Sequence, residues 1–380
     1  MSRTHEEVQA AIRAVAPVVR AAAEEAERAS EVAQHVIDAL HAQRLFRLWI
    51  PQAFGGDALA LPASLRAFEE ASRLDGSLGF LVMIGVGGGL FGAFMREDAA
   101  SDVFGPLDAL IGGSGAAGGE ARLVRGGYRA SGDWGFASGA PHATWFTANC
   151  VLSGRGVPAR TIRAMAFPAA EVTIDPTWEV SGLRATASHS FSVDDAFVPV
   201  AYAFSVFTDQ PRQPEPLYRY PFGSIAQVSF AAVALGIGRH AIEEFAASAS
   251  TRRLARARTA LHADPSAEEA FARAEGLLRS ARALFYETAD ASWATVGRGR
   301  RLSRADEDAV HLAAVQAAAS ARRAVGLLAG VSGTAPLYMQ SVLGRCARDI
   351  EALVTHSSLS PLRMRDLGRS MLARARRAAR

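Results

Sequence analysis

Gly126-Gly-Tyr-Arg-Ala-Ser-Gly-Asp-Trp-Gly-Phe-Ala-Ser-Gly-Ala-Pro-His-Ala-Thr-Trp145 is followed, further along the chain, by Trp178-Glu-Val-Ser-Gly-Leu-Arg-Ala-Thr-Ala-Ser188 and Val193-Asp-Asp-Ala-Phe-Val-Pro199. Short apolar runs broken by Gly, Asp and Pro predict strands joined by turns. The same texture reaches from about Leu107 to Phe207, with apolar runs at 147–152, 164–167 and 189–193. Outward on either side the spacing becomes helical. Val8, Ile12, Val15 and Val19, then Val32, Val36 and Leu40, mark two helices before Arg47. Pro51 and Gly55-Gly56 interrupt them, and helices resume from Pro62 through Phe94. Gly85 and Gly87-Gly88-Gly89 suit either close helix packing or a backbone facing a ligand. After Pro221 helical periodicity returns over 222–257, 266–297, 304–330 and 336–377. The order is helical, β, helical, with expected bounds 1–106, 107–220 and 221–380.

Composition limits what such a chain does. With 380 residues, 49% of them hydrophobic and 21% charged, it buries a sizeable core and carries no disorder signature. No stretch approaches about 18 consecutive apolar residues, and the first residues show no charged-then-apolar leader, so a cytoplasmic protein without membrane association is expected. Cys150 and Cys346 are too few for a disulfide framework or a Cys-based zinc site, and the nine histidines are scattered without ligand spacing, so no metal is expected. All 41 basic residues are arginine. The absence of lysine excludes Schiff-base chemistry, pyridoxal phosphate attachment and a phosphate-loop lysine. Net charge is only +3 and no aromatic-interleaved basic stripe is present, which disfavours nucleic acid. Seven arginines crowd the stretch Arg363 to Arg380, as a solvated helix face does.

The first two stretches resemble the flavin-contacting strand and exit turn, and the Gly-Leu-Arg-x-Thr-x-Ser signature, of the acyl-CoA dehydrogenase superfamily. Arg345-Cys-Ala-Arg-Asp349 resembles the Arg-Asp pair that opens the family's last active-site helix. The resemblance covers the whole chain and implies an α+β, acyl-CoA dehydrogenase-like fold: an N-terminal helical domain, a central β-barrel and a C-terminal four-helix bundle. It also implies a flavin, FMN or FAD, and a homotetramer in which a neighbouring subunit's turn, here Gly330-Val-Ser-Gly333, touches the flavin adenine.

Two chemistries share that pocket in the superfamily. Dehydrogenation of an acyl-CoA needs a carboxylate base for the weakly acidic α-proton. In the family it stands in a Glu-Gly-Thr turn some eight residues after the Arg-Asp pair, or on the first helix of the C-terminal domain. Here Ser357 holds the first place, and 216–242 contains no acidic residue. His356 stands nearby instead. An imidazole there resembles the two-component flavin monooxygenases, which take reduced flavin from a separate NAD(P)H-dependent reductase. They combine it with O2 as a C4a-hydroperoxyflavin and oxygenate a small aromatic, amine or sulfur-containing substrate. The alternative is a dehydrogenase or related FAD-dependent desaturase with a displaced base such as Glu351.

Histidine titrates near neutral pH, so it moves a proton or donates a hydrogen bond without placing a fixed negative charge beside a peroxide. Catalytic candidates are therefore His356, as acid/base or donor, and Ser138, as a hydroxyl donor to flavin or peroxide. The dehydrogenase pattern has a threonine where this chain has Ala137 followed by Ser138. Flavin-contacting candidates implied by the resemblance are Ser114 in the Gly-rich stretch 111–119, Trp134 and Phe136 from alternate strand positions, Ser138, and Arg252 as a pyrophosphate arginine. His142 is the substrate-side candidate.

Overall fold

A computed structural model describes residues 3–252, 260–359 and 362–378. Five helices come first: α1 (His5–Ala29), α2 (Gln34–Ala42), α3 (Leu61–Leu74), α4 (Gly76–Gly89) and α5 (Glu97–Phe104). Seven strands follow: β1 (Ile111–Val124), β2 (Gly127–Ala137), β3 (Trp145–Ser153), β4 (Ile162–Pro168), β5 (Thr173–Asp175), β6 (His189–Pro199) and β7 (Ala203–Phe204). The chain then returns to helices α6 (Phe222–Ala249), α7 (Pro265–Gly297), α8 (Arg304–Val331), α9 (Val342–Val354) and α10 (Leu362–Ala378). They pack as two compact units, one of residues 1–59, 84–179 and 184–219, the other of 60–83, 180–183 and 220–380.

All strands lie in the first unit. The expected barrel is a seven-stranded mixed sheet in the order β5-β6-β2-β1-β3-β4-β7, with β5 and β7 at its edges. Only β1 and β3 run parallel; the other neighbours are antiparallel. One face closes over an aromatic core in which Trp134 stacks on Phe191 at 5.2 Å and Phe146 meets the same ring at 5.0 Å. Ser114 and its glycines, expected as a loop, belong to β1. Its pairing with β3 slips between Ser114 and Gly119, and the residues between them are exposed. Arg47 holds the helical part of this unit. Its guanidinium is 2% exposed and donates to the carbonyls of Phe54, Gly55, Phe104 and Pro106, which satisfies a charge that burial would otherwise penalise. Gly88 and Gly89 of α4 serve packing, since a Cβ at Gly88 would lie 2.7 Å from Ile111 and one at Gly89 2.8 Å from Ile50, whereas a Cβ at Gly87 would meet nothing within 4 Å.

The second unit is built around α6, whose residues 228–238 are buried on every side. Helix α3 lies on α6, and α8 packs against α6, α7 and α9. Their starts are fixed locally. Asp264 caps α7, Ser303 and Asp306 form a capping box on α8, and Ser341 caps α9. The single segment expected over 336–377 is two helices, α9 and α10. The one expected over 222–257 ends at Ala249, and 253–259 lie outside the described residues. Two segments, Gly76–Ala93 and Phe222–Ala249, are long and apolar enough to span a membrane; both are 83% buried in the protein, as core helices are.

Helix α10 is tied to α8 through Asp308. Burial raises its carboxyl pKa, but hydrogen bonds from Arg374 and Ser370 (2.6 Å) and the charge of Arg304 more than offset this and hold it below the ordinary value. A carboxylate with a depressed folded pKa stabilises above its unfolded pKa, and the benefit is lost as pH falls through the folded value. Asp308→Ala should therefore loosen α10 by about 2 kcal/mol. Hydrogen exchange of the α10 amides should quicken in this variant, and in the native protein below the ordinary carboxylate range; unchanged exchange would remove the tie.

Candidate functional site

In the first unit, the end of β2 breaks the strand rule. The β2–β6 register slips between Trp134 and Ala137, and Phe136 takes a left-handed backbone with φ 67°. Alternation would put Trp134 and Phe136 on one face. The slip sends them to opposite sides. Trp134 is 2% exposed in the sheet core, with its indole N–H donated to Asn149 O at 3.0 Å, so the expected flavin contact from this ring is withdrawn. Phe136 stands 75% exposed, its ring edge-on to Trp178 at 6.1 Å.

Two residues beyond Phe136, the chain turns inward. Ser138 N–H donates to Phe136 O at 3.1 Å, and Gly139 N–H to Thr186 O at 2.8 Å. The Ser138 hydroxyl lies 2.7 Å from that of Ser188, which lies 2.7 Å from that of Thr186. All three residues are at most 7% exposed. The two sequence motifs thus meet through buried hydroxyls. Neither Thr186 nor Ser188 was singled out from the sequence, although both sit in the quoted signature. Leu183 (φ 53°) and Ala187 (φ 43°) add left-handed non-glycine backbone to the same signature, and such strain gathers at functional sites.

His142 is placed otherwise than expected. Its Nε2 lies 2.9 Å from Val32 O and its Nδ1 3.1 Å from Gln34 Oε1, so both ring nitrogens tether the turn after β2 to the start of α2 and leave none for a substrate. Ser114 is half-buried on β1, its hydroxyl accepting from Ala116 N–H at 3.4 Å.

In the second unit, α9 presents a buried face. Asp349, 1% exposed, accepts the Leu183 N–H at 2.7 Å, and one turn earlier Arg345 pairs with Asp75 at 3.1 Å. Gly182 packs so closely here that a Cβ would fall 2.0 Å from Arg348 O. Past the end of α9, the His356 ring stacks on Phe230 of α6 at 3.8 Å, and Phe230 meets Phe80 edge-on at 5.6 Å. Ser358 N–H donates to His356 Nδ1 at 3.1 Å, which places the hydrogen of the neutral ring on Nε2. Thr355 and Ser357 line a cavity of about 860 Å³ with Gln227 of α6 and Arg304, Asp308 and His311 of α8; His356 between them is not among its lining residues. Gln227, 7% exposed, was not foreseen; its only signal was a polar side chain in an otherwise apolar run.

Glu351, the alternative base, is on the surface, 55% exposed and paired with Arg322 at 2.8 Å. Arg252 is half-buried near Glu244, whose carboxyl is pushed up by burial and pulled back by Arg252 and Arg345. Arg252 Nη1 is buried with no hydrogen-bond partner among the described residues, as an arginine awaiting an anion would be. The first unit's groups suit a flavin ring: an exposed aromatic side chain, Phe136, with buried hydroxyls beside it. In the second unit, taken by itself, the Arg252 N–H suits an anion.

The comparisons with known proteins agree. Residues 2–98 match the family model of the acyl-CoA dehydrogenase N-terminal domain, and 228–361 that of the acyl-CoA dehydrogenase C-terminal domain. Over 358 residues the chain is 30% identical to indole-3-acetate monooxygenase of Pseudomonas putida, covering 92% of this chain and 89% of that one. It is 34% identical over 203 residues to the oxygenase component of the FADH2-dependent resorcinol hydroxylase of a Rhizobium species, covering 52% of this chain and 49% of that one. The crystal structure of 3-HSA hydroxylase from Rhodococcus sp. RHA1 superposes with a TM-score of 0.90 at 26% identity, over 97% of both chains.

The chain belongs to the acyl-CoA dehydrogenase superfamily. Within it, the chain is the oxygenase component of a two-component flavin-dependent monooxygenase, which uses reduced flavin and O2 and depends on a separate flavin reductase.

Because Gly182 lies against the backbone of α9, Gly182→Ala should lower stability by about 1–3 kcal/mol, the cost of overpacking, with thermal unfolding as the readout. A variant that melts with the native protein would show that this contact yields easily.

Proposed function

We propose that this oxygenase acts on a small aromatic substrate, with His356 and Ser138 as its polar reacting groups and Phe136 as the apolar face against the flavin ring. Support for an aromatic substrate comes from the indole and resorcinol in the names of the relatives. The observation that carries the site is the turn at 136–138, where strained backbone exposes one aromatic ring and buries a hydroxyl chain behind it. Reduced flavin, when bound, would supply the two electrons with which one oxygen atom of O2 enters the substrate and the other leaves as water.

The protein's own groups orient and protect. His356, held at Nδ1 by Ser358 N–H, carries its ring hydrogen on Nε2, the nitrogen through which it would donate; acting as a base at Nδ1 would first require giving up the Ser358 bond. Its stack on Phe230 fixes the ring plane. A donor fixed in advance where negative charge develops is worth more than one that must reorganise. Arg252, with a buried N–H to spare, is the anion-binding group for a flavin phosphate. Self-association into a homotetramer is supported by the loop after Gly330–Gly333, where Leu337, Tyr338 and Met339 are 79%, 59% and 50% exposed. The cytoplasm is the compartment in which this oxygenase would meet its reductase.

The deciding experiment mixes the protein anaerobically with reduced FMN or FAD, adds O2, and follows near-ultraviolet absorbance together with product and hydrogen peroxide. Coupled oxygenation of indole-3-acetate, resorcinol or a related aromatic should appear in the native protein. It should fall about a hundredfold in His356→Ala, while His356→Gln, which keeps an N–H donor, should recover part of it. Loss in both variants would assign His356 as a base; native rates in His356→Ala would take it out of the reaction. Phe136→Ala should weaken flavin binding, read by fluorescence titration, and unchanged affinity would move the flavin elsewhere.

A further inference from the structure

Three hydroxyls within 2.7 Å of each other in sequence, all buried, are unusual where one would serve as a hydrogen-bond donor. Each hydroxyl both donates and accepts. A line of them therefore has two hydrogen arrangements, and the outermost member presents a hydrogen in one and a lone pair in the other. Ser138 is that outer member, two residues after the exposed Phe136, and Ser188 is the only side-chain partner of its hydroxyl among the described residues. Ser188 is held on both sides, by Ser138 and by Thr186, and the Gly139 N–H bond to Thr186 O locks the two stretches of backbone together.

We propose that Ser188 and Thr186 are positioning residues that let Ser138 act toward the flavin either as donor or as acceptor. The inference rests on Ser138 lying against the flavin. Its use follows from the cofactor's chemistry: the reacting ring nitrogen carries a hydrogen when reduced and a lone pair when oxidised, so one partner suits both states only if it reverses. With the hydrogens running inward, from Ser138 to Ser188 to Thr186, the Ser138 oxygen accepts from the reduced nitrogen. With them running outward, Ser138 donates to the oxidised one. No net proton moves, since only the O–H bonds rotate. Replacing Ser188 leaves the Ser138 hydrogen without an inward acceptor, so that it points only at the flavin.

The test is the binding of FMN and FAD in each redox state, measured by anaerobic titration in the absence of substrate, for the native protein and for Ser188→Ala, Ser188→Thr and Ser138→Ala. Ser188→Ala should weaken reduced flavin about fivefold, the worth of one net hydrogen bond, with oxidised flavin unchanged or tighter. Ser188→Thr, which restores a hydroxyl, should return the native ratio. Thr186→Val should shift the ratio in the same sense by less, which covers a Ser188→Ala that folds poorly. Equal weakening of both redox states, or no change, in a Ser188→Ala that melts normally would overturn the reversal. If Ser138→Ala itself leaves both affinities untouched, Ser138 does not meet the flavin and the site assignment fails first; if it alters them while Ser188→Ala does not, only the role of Ser188 fails.

Discussion

Asp349 and Arg345 project from the same buried face of α9, and each takes hold of another stretch of chain: Asp349 the N–H of Leu183, Arg345 the carboxylate of Asp75. Buried charges are tolerated only when paired and hydrogen-bonded, so these two sites leave little choice about what sits beside the helix. Asp75 precedes α4, and its Oδ1 also accepts the Leu78 N–H at 3.1 Å in the first turn of that helix. Leu183 is left-handed, and Gly182 beside it has no room for a Cβ. The family's Gly-Leu-Arg signature is thus a docking element for α9 before it is anything chemical. The residues that follow it carry the hydroxyls.

Those hydroxyls show how the polar chemistry is kept dry. Ser138, Thr186 and Ser188 satisfy one another within the first unit, where an isolated buried hydroxyl would cost free energy. The two aromatic rings at the end of β2 are divided. Trp134 is drawn into the core and donates its N–H to Asn149 O, while the slip in the β2–β6 pairing leaves Phe136 alone to face outward. His356 in the second unit is exposed, yet it is held in place. One ring face lies on Phe230 and Nδ1 is occupied by Ser358 N–H, so its direction is set before any ligand arrives.

Much of this was legible beforehand. Helical spacing located α1, α2, α3 and the long C-terminal helices, and the motifs at 126–145 and 178–188 carried the family and the flavin, since they demand particular residue types at fixed spacing. The missing carboxylate after Arg348-Asp349 separated monooxygenase from dehydrogenase, and the exposed pairing of Glu351 with Arg322 agrees with that choice. What escaped was register and partnership. Ser114 read as part of a glycine-rich loop because glycine signals turns, yet pairing with β3 draws the segment into a strand. Trp134 and Phe136 read as neighbours on one face because period two was assumed through a position where the ladder slips. His142 read as a substrate group because nothing in sequence reveals that Val32 O and Gln34 Oε1 stand beside its ring.

The sequence by itself determined the order of helices and strands, the absence of lysine chemistry, the two motifs and the imidazole in place of a carboxylate. These are properties of residue identity and local spacing, and they survive in any arrangement of the chain. Only the tertiary structure decided which hydroxyl lies against which, which aromatic ring faces outward and which nitrogen of His356 carries the hydrogen. The Ser138–Ser188 contact joins residues far apart in sequence, brought within about 3 Å by packing, where spacing along the chain carries no information. The Thr186–Ser188 and Ser358–His356 contacts span two residues each, and there it is the local backbone conformation, invisible in residue identity, that fixes the hydrogen-bond direction.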